Sequence, residues 1–167
     1  MTEMPDRFEV SSAEHFKALG HPLRHRLLFA LGQEAATISQ LATALGTAKG
    51  NVAHHLGVLR DAGMVRLAGT RQVRGGTEQY YERAARMFDF VGEGARANAA
   101  VSLQAVGAEL ATADAEPLIV LRNIRLTRQQ AAELSDQLEQ IADGLTDAGP
   151  GESRYGVVVS VYRPRQT

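Results

Sequence analysis

The stretch Thr37 to Gly63, TISQLATALGTAKGNVAHHLGVLRDAG, constrains the fold more than any other part of the chain, because apolar residues repeat at helical spacing on both sides of one glycine. Thr37 and Gln40 stand in capping-box spacing, in which the Thr hydroxyl accepts from an orphan amide and the Gln reaches back to the cap. Ile38, Leu41, Ala42 and Leu45 then share one face, and Gly46 supplies the permissive backbone that a helix end favours. Thr47 is placed to cap a second helix, over 47–62. Within it Val52, Leu56 and Leu59 fall at i, i+4 and i+7, a stripe for packing on the first helix, while Lys49, Gly50, Asn51, Ala53, His54 and Arg60 lie off that stripe. Two short helices joined by a tight turn are expected.

The outer face of the second helix carries small and polar residues near its N-terminal end, where Lys, Asn and His have donors and acceptors of the reach needed for base edges in a major groove. A solvated helix would show the same face to water. The following residues separate the two readings. Met64, Val65 and Leu67 predict a strand and Thr77 to Arg83 its return, a hairpin over 64–83 with a glycine-rich, basic loop from Arg71 to Gly76. Between Lys49 and Gly76 five basic residues (Lys49, Arg60, Arg66, Arg71, Arg74) stand against one acid, Asp61, in a chain of formal net charge −1. Local positive charge on a near-neutral chain is the footprint of phosphate contacts, since each Lys or Arg placed on the backbone releases counterions. A solvated, arginine-rich turn is the plainer alternative; helix pair, hairpin and charge in one order favour double-stranded DNA.

FKALGHPLRHRLLFAL (Phe16 to Leu31), the helix pair through Val65 and the hairpin together resemble the winged helix-turn-helix of ArsR-type bacterial transcriptional regulators over roughly residues 12–90. The most specific parts are Ala18, Leu19, Pro22 and Arg24, and the run from His55 to Gly63. The resemblance implies a homodimeric repressor or activator that reads a two-fold symmetric operator. It sets base reading on Lys49, Gly50, Asn51 and His54, with the wing arginines Arg71 and Arg74 on phosphate or minor groove. Thr47 and Arg60 complete the candidate DNA-binding set. Many relatives sense metal or arsenic through cysteine thiolates, and this chain has none. The C-terminal pattern resembles the tails of actinobacterial members.

Histidine is the remaining route to a metal. His21 and His25 have the i, i+4 spacing that would align two zinc ligands on a continuous helix. Because His21 precedes Pro22, which favours a first helical turn, His21 is expected at a cap, and a structural role is preferred for both. His55 is expected to support the second helix from beneath and His54 to touch DNA. No nucleophile elbow, phosphate-binding glycine loop, helical metal pair or plausible catalytic triad appears, so neither enzyme activity nor a cofactor is expected. A winged helix that binds protein instead of DNA is the serious rival, since the fold does not guarantee DNA.

The chain of 167 residues is 44% apolar, enough for a sizeable core. It has no apolar run of membrane-spanning length and its first ten residues lack signal-peptide order, so a cytoplasmic location is expected. The organisation expected is α+β: a winged helix-turn-helix domain over 11–90, a helical linker or dimerisation segment over 91–115, and a strand-helix-strand unit over 116–165.

Residues 1–10 look loosely held. Ser11 and Glu14 suggest a capping box for a helix through Leu19, ended by Gly20; Pro22 to Leu31 follows, with Leu23, Leu27, Leu28 and Leu31 inward. Tyr80 and Tyr81 point to opposite faces of the returning strand, with nothing to say which is inward. A break is expected at Gly92 to Gly94. Beyond it Ala99, Leu103, Val106 and Leu110 form a stripe suited equally to a dimer interface or to packing within the chain. LIVLRNIRL (Leu118 to Leu126) and RYGVVVSVYR (Arg154 to Arg163) read as strands flanking a helix that starts at a Thr127–Gln130 capping box and presents Leu134, Leu138, Ile141 and Leu145 on one face. Asp143 to Gly151 is turn chemistry. Two strands and one helix cannot cover both faces of a sheet, so this unit needs a partner surface, most simply the same unit of another subunit. From Val91 onward seven arginines stand against ten acids, a net −3 that argues against a second nucleic-acid surface. Dimerisation or packing is preferred there over binding a small-molecule effector.

Overall fold

The computed structural model describes residues 4–32, 34–146, 148–149 and 151–164. It places a strand where the sequence pattern suggested slack: β1 (Arg7–Val10) opens the fold, and Val10 is fully buried. The chain continues through α1 (Ala13–Leu19), α2 (Pro22–Ala30), α3 (Ile38–Leu45), α4 (Lys49–Asp61), the hairpin strands β2 (Val65–Val73) and β3 (Gly76–Arg83), β4 (Met87–Phe90) and α5 (Ala95–Leu110). β1 pairs in parallel with β4, from Arg7 with Met87 to Val10 with Phe90, and an Arg7–Asp89 ion pair of 2.8 Å joins the two strands. These elements form a first unit, Met1–Pro117; α6 (Arg128–Asp143) lies in a second, Leu118–Thr167.

Helix starts follow side chains that satisfy orphan amides. Ser12, one residue later than expected, caps α1 by accepting from the His15 amide at 3.1 Å. His21 caps α2, its Nδ1 accepting from the Leu23 amide at 3.1 Å with Pro22 in the first turn. The Thr37–Gln40 capping box forms in full, the Gln40 amide donating to Thr37 Oγ1 at 3.2 Å and the Thr37 amide to Gln40 Oε1 at 2.8 Å. Thr47 does not cap α4. Its amide is drawn back onto the Ala42 carbonyl to close α3, with Gly46 in the left-handed region at φ 62°, and the cap passes to Ala48, which has no side-chain acceptor.

The core collects the faces read from the helical spacing. Leu19, Leu27, Leu41, Val52, Leu56, Leu59, Met64 and Val65 are all buried, and α2 packs on α1, α3 and α4. The hairpin is antiparallel from Val65 opposite Arg83 to Val73 opposite Gly76, with one irregularity between Leu67 and Gly69. Its turn is Arg74–Gly75, so the strands reach further than expected and Arg71 lies in β2 rather than in a loop. Tyr81 is the inward tyrosine: it is buried, and its backbone exchanges two 2.9 Å hydrogen bonds with Ala36, tying the wing to the segment before α3.

α5 packs on α1 and α2 through a face one residue away from the expected stripe. Asn98 and Ala105 are buried with Val101 and Ser102 half-buried, whereas Ala99, Leu103 and Leu110 are exposed and Val106 half-buried. Small alanines occur on both sides of this helix, so periodicity alone does not choose between them. The seam holds a buried polar link. His25 Nε2 donates to the Leu19 carbonyl at 2.8 Å, and its Nδ1 lies 3.3 Å from Ser102 Oγ, whose hydroxyl donates to the Asn98 carbonyl at 2.9 Å.

In the second unit α6 forms with its Thr127–Gln130 capping box, and Leu145 falls beyond its end. The two expected strands do not form: Leu118 to Leu126 and Arg154 to Arg163 enter no ladder, and their residues are exposed. The strand-helix-strand unit is corrected to a single helix whose two flanks stand in no ladder among the described residues. Strand pattern is a statement about neighbours, and among the described residues neither run stands in a ladder with another strand. Asp147 and Pro150 of the expected turn lie outside the described residues, as do residues 1–3 and 165–167. Among the described residues no helix is long and apolar enough to cross a membrane.

Two outcomes test this packing. A Cβ on Gly94 would overlap the Phe16 ring, so Gly94→Ala should destabilise the protein by about 1–3 kcal/mol in urea titration, with partial recovery when Phe16→Leu is added. Burial lowers the His25 pKa, against a smaller upward pull from the Leu19 hydrogen bond, and Arg24 adds a further lowering. The unfolded chain therefore takes up a proton near the ordinary 6.5 that the folded chain resists. Stability should be fully present above that pH and fall as the pH drops below it. In thermal melts His25→Gln should flatten part of this slope, leaving the part that belongs to His55, whose pKa burial also lowers.

Candidate nucleic-acid interface

Burial of Val52, His55, Leu56 and Leu59 turns the opposite side of α4 outward, and Lys49, Gly50, Asn51, Ala53 and His54 are all exposed there. Lys49 and Gly50 occupy the first turn. Asn51 Nδ2 donates to Thr47 Oγ1 at 3.0 Å, which steadies the carboxamide while leaving its oxygen to accept. Thr47 thus positions Asn51 instead of capping. A steadied Asn with both a donor and an acceptor is what bidentate reading of an adenine edge requires. With no side chain on its N-terminal amides, α4 also presents a positive end next to Lys49, which lines a shallow hollow together with Ala42, Thr43, Gly46, Thr47 and Ala48.

Arg60 is not part of this group. It lies eleven residues after Lys49, about 16 Å along the axis, and its guanidinium is 3.9 Å from the Asp61 carboxylate. The wing sorts its own charges in the same way. Arg66 is paired with Glu82 at 2.7 Å, and Arg71 stands opposite Glu78 in the ladder. Arg74 is at the hairpin tip. Lys49, Arg71 and Arg74 are exposed and make no ion pair among the described residues, so they carry the unneutralised part of the local positive charge.

Behind α4 lies a polar cluster that the sequence announced only as a motif. Arg24 Nη2 donates to the Lys17 carbonyl at 3.0 Å, and Nη1 lies 3.5 Å from His55 Nδ1, while Nε is shielded from solvent without a partner. The His21 ring is 4.4 Å from that of His55, which is 5.1 Å from that of exposed His54. Burial lowers the His55 pKa first, and the neighbouring His21, Arg24 and His54 lower it further. Burial lowers that of Arg24 too. A neutral His55 can accept from Arg24, so α1, α2 and α4 are joined under the exposed face. Pro22 and Arg24 stood out in the sequence, but their partners lie up to 31 residues away and no local pattern points to them. His21 and His25, the spaced pair considered for zinc, have separate partners, one capping α2 and the other bonded to Leu19.

Comparison with known proteins matches residues 19–68 to the helix-turn-helix domain family, a span from the end of α1 into β2. Among curated proteins none matches significantly. Among solved structures the chain is similar to the homodimeric winged helix-turn-helix DNA-binding domain of a possible ArsR-family transcriptional regulator from Mycobacterium bovis. The identity there is 28% over 58% of this chain and 78% of that one, with a TM-score of 0.38. It is also similar to a transcriptional regulator homologue from Pyrococcus horikoshii, at 24% identity over 59% of this chain and 90% of the other, with a TM-score of 0.34. The matched span holds the whole of α4 and stops short of Arg71 and Arg74, so it is in its helix pair that the chain is similar to helix-turn-helix domains.

Proposed function

We propose that the chain is a DNA-binding transcriptional regulator of the ArsR type, acting as a homodimeric repressor on a two-fold symmetric operator. α4 enters the major groove and the β2–β3 wing lies on the backbone. The observation that carries this reading is the open outer face of α4. Lys49, Gly50, Asn51 and His54 are exposed together, beside an uncapped helix end and a wing whose Arg71 and Arg74 have no carboxylate in ion-pair contact. In this reading Asn51 and His54 read base edges, Lys49 and the α4 amides hold a phosphate, and Arg71 and Arg74 grip the backbone or minor groove. The exposed Ala99, Leu103 and Leu110 stripe of α5 supports self-association, which would present two α4 helices to half-sites about one helical turn or more apart.

Fragments of the source genome retained by the purified protein supply the operator, and binding to it is measured against salt. Affinity should fall steeply, with a slope near −0.9 per phosphate neutralised; a flat response would turn the reading toward a protein-binding winged helix. Asn51→Ala or His54→Ala should relax preference at single base positions by about 1–3 kcal/mol. Arg71→Ala or Arg74→Ala should weaken all sequences alike and reduce the slope by about 1 each. Helix variants that bind every sequence as the wild type does would remove Asn51 and His54 from the readers.

A further inference from the structure

Of the twenty large apolar side chains exposed on the described residues, fifteen belong to the second unit. Twelve of these lie in the two unpaired runs, six between Leu118 and Leu126 and six between Tyr155 and Tyr162. At on the order of 100 Å² each, the six of the second run offer roughly 600 Å² per chain, and those of the first run would be needed to pass the ~800 Å² that each partner contributes to a standard interface. Water-exposed backbone bearing that much branched apolar surface is a strand without its neighbour.

We propose that residues 154–163 pair antiparallel with the same residues of a second copy of this chain, across a two-fold axis at Val159. The pattern of RYGVVVSVYR selects this occupant and this register. Tyr155, Val157, Val159 and Val161 form one wholly apolar face, and Gly156, Val158, Ser160 and Tyr162 the other. A two-fold axis normal to the sheet keeps each face on its own side, so only residues of the same parity stand opposite one another. With the axis at Val159 it meets itself, Val157 meets Val161, Val158 meets Ser160, Gly156 meets Tyr162, and Tyr155 meets Arg163. Tyrosine rings cover the glycines, Arg163 lies against an aromatic, and no two arginines are opposed. The run has no acidic residue and no unmatched charge along its middle, so it fits its own copy without a foreign partner. α6 of each copy, with Leu134 and Ile141 exposed, is the available cover for the apolar face.

This inference does not rest on DNA binding, and its test uses no DNA. The chain has no cysteine, so single cysteines can be placed in the full-length protein at each position from Val157 to Val161. After mild oxidation the covalent dimer is measured on a non-reducing gel, over a dilution series. Moving one residue from the axis offsets a position from its own copy by ~7 Å along the strand, so their Cα atoms stand about 8–9 Å apart, beyond the ~7 Å limit of a disulfide. Val159→Cys should give the largest yield, steady on dilution, and Val157→Cys and Val161→Cys at most about a tenth of it, since neither can bridge to its own copy. An even profile, a maximum at any other position, or no covalent dimer at all overturns the pairing, whatever the protein's affinity for DNA.

Discussion

The azimuth of α4 is the constraint on which the rest depends, and it is set by the core alone. Val52, Leu56 and Leu59 are buried to within 1% and His55 to within 7%. Turning the helix by one residue would expose side chains worth about 1.5–3 kcal/mol each and bring Lys49 or His54 toward a medium that penalises charge. Several kcal/mol is a large part of the ~5–15 kcal/mol that a domain has in total. The outer face is therefore presented before any ligand arrives, and α3, capped at Thr37 and closed at Gly46, holds the helix in place.

Charge on this surface has to be judged by what remains after local pairing. Arg66 is neutralised by Glu82 and Arg60 sits beside Asp61, so the five basic residues read from the sequence reduce to Lys49, Arg71 and Arg74 as unpaired cations. These three lie at the start of α4 and on the outer half of the wing. Placement, not net charge, gives a near-neutral chain a cationic surface.

What could be read from sequence follows the range of the interactions involved. The capping boxes at Thr37 and Thr127 and the His21 cap each close within three residues, and all three formed. The leucine faces of α2, α3 and α4 were equally legible, because burial of one helical face repeats at a fixed period. Thr47 is not the cap because α4 begins one residue later, with Ala48 at the cap position, and the Thr47 hydroxyl accepts from Asn51 instead, a one-residue shift that residue type does not reveal. β1 depends on a partner strand 80 residues away, and Arg24 on His55 across 31 residues, so neither had a local signature. Of the candidate site, Lys49, Gly50, Asn51 and His54 proved adjacent and exposed, Arg60 fell at the far end, and Thr47 changed its part.

The two units differ in a way that bears on assembly. The first buries most of its large apolar side chains in one core that runs from α1 to the wing and includes Tyr81 and Val10, leaving five exposed, among them Leu103 and Leu110 of α5. Among the described residues the second buries none of its large apolar side chains fully, although α6 forms with a complete cap, so its deficit lies in tertiary cover rather than in local propensity. A segment that is apolar on alternate positions and unpaired on both edges has its preference satisfied only by another strand. Where that strand is the segment itself, the contact is isologous and generates a two-fold axis without further instruction. An axis of that kind is what two copies of α4 would need in order to address symmetric half-sites, so this pairing would act beside the self-association proposed through the exposed α5 stripe.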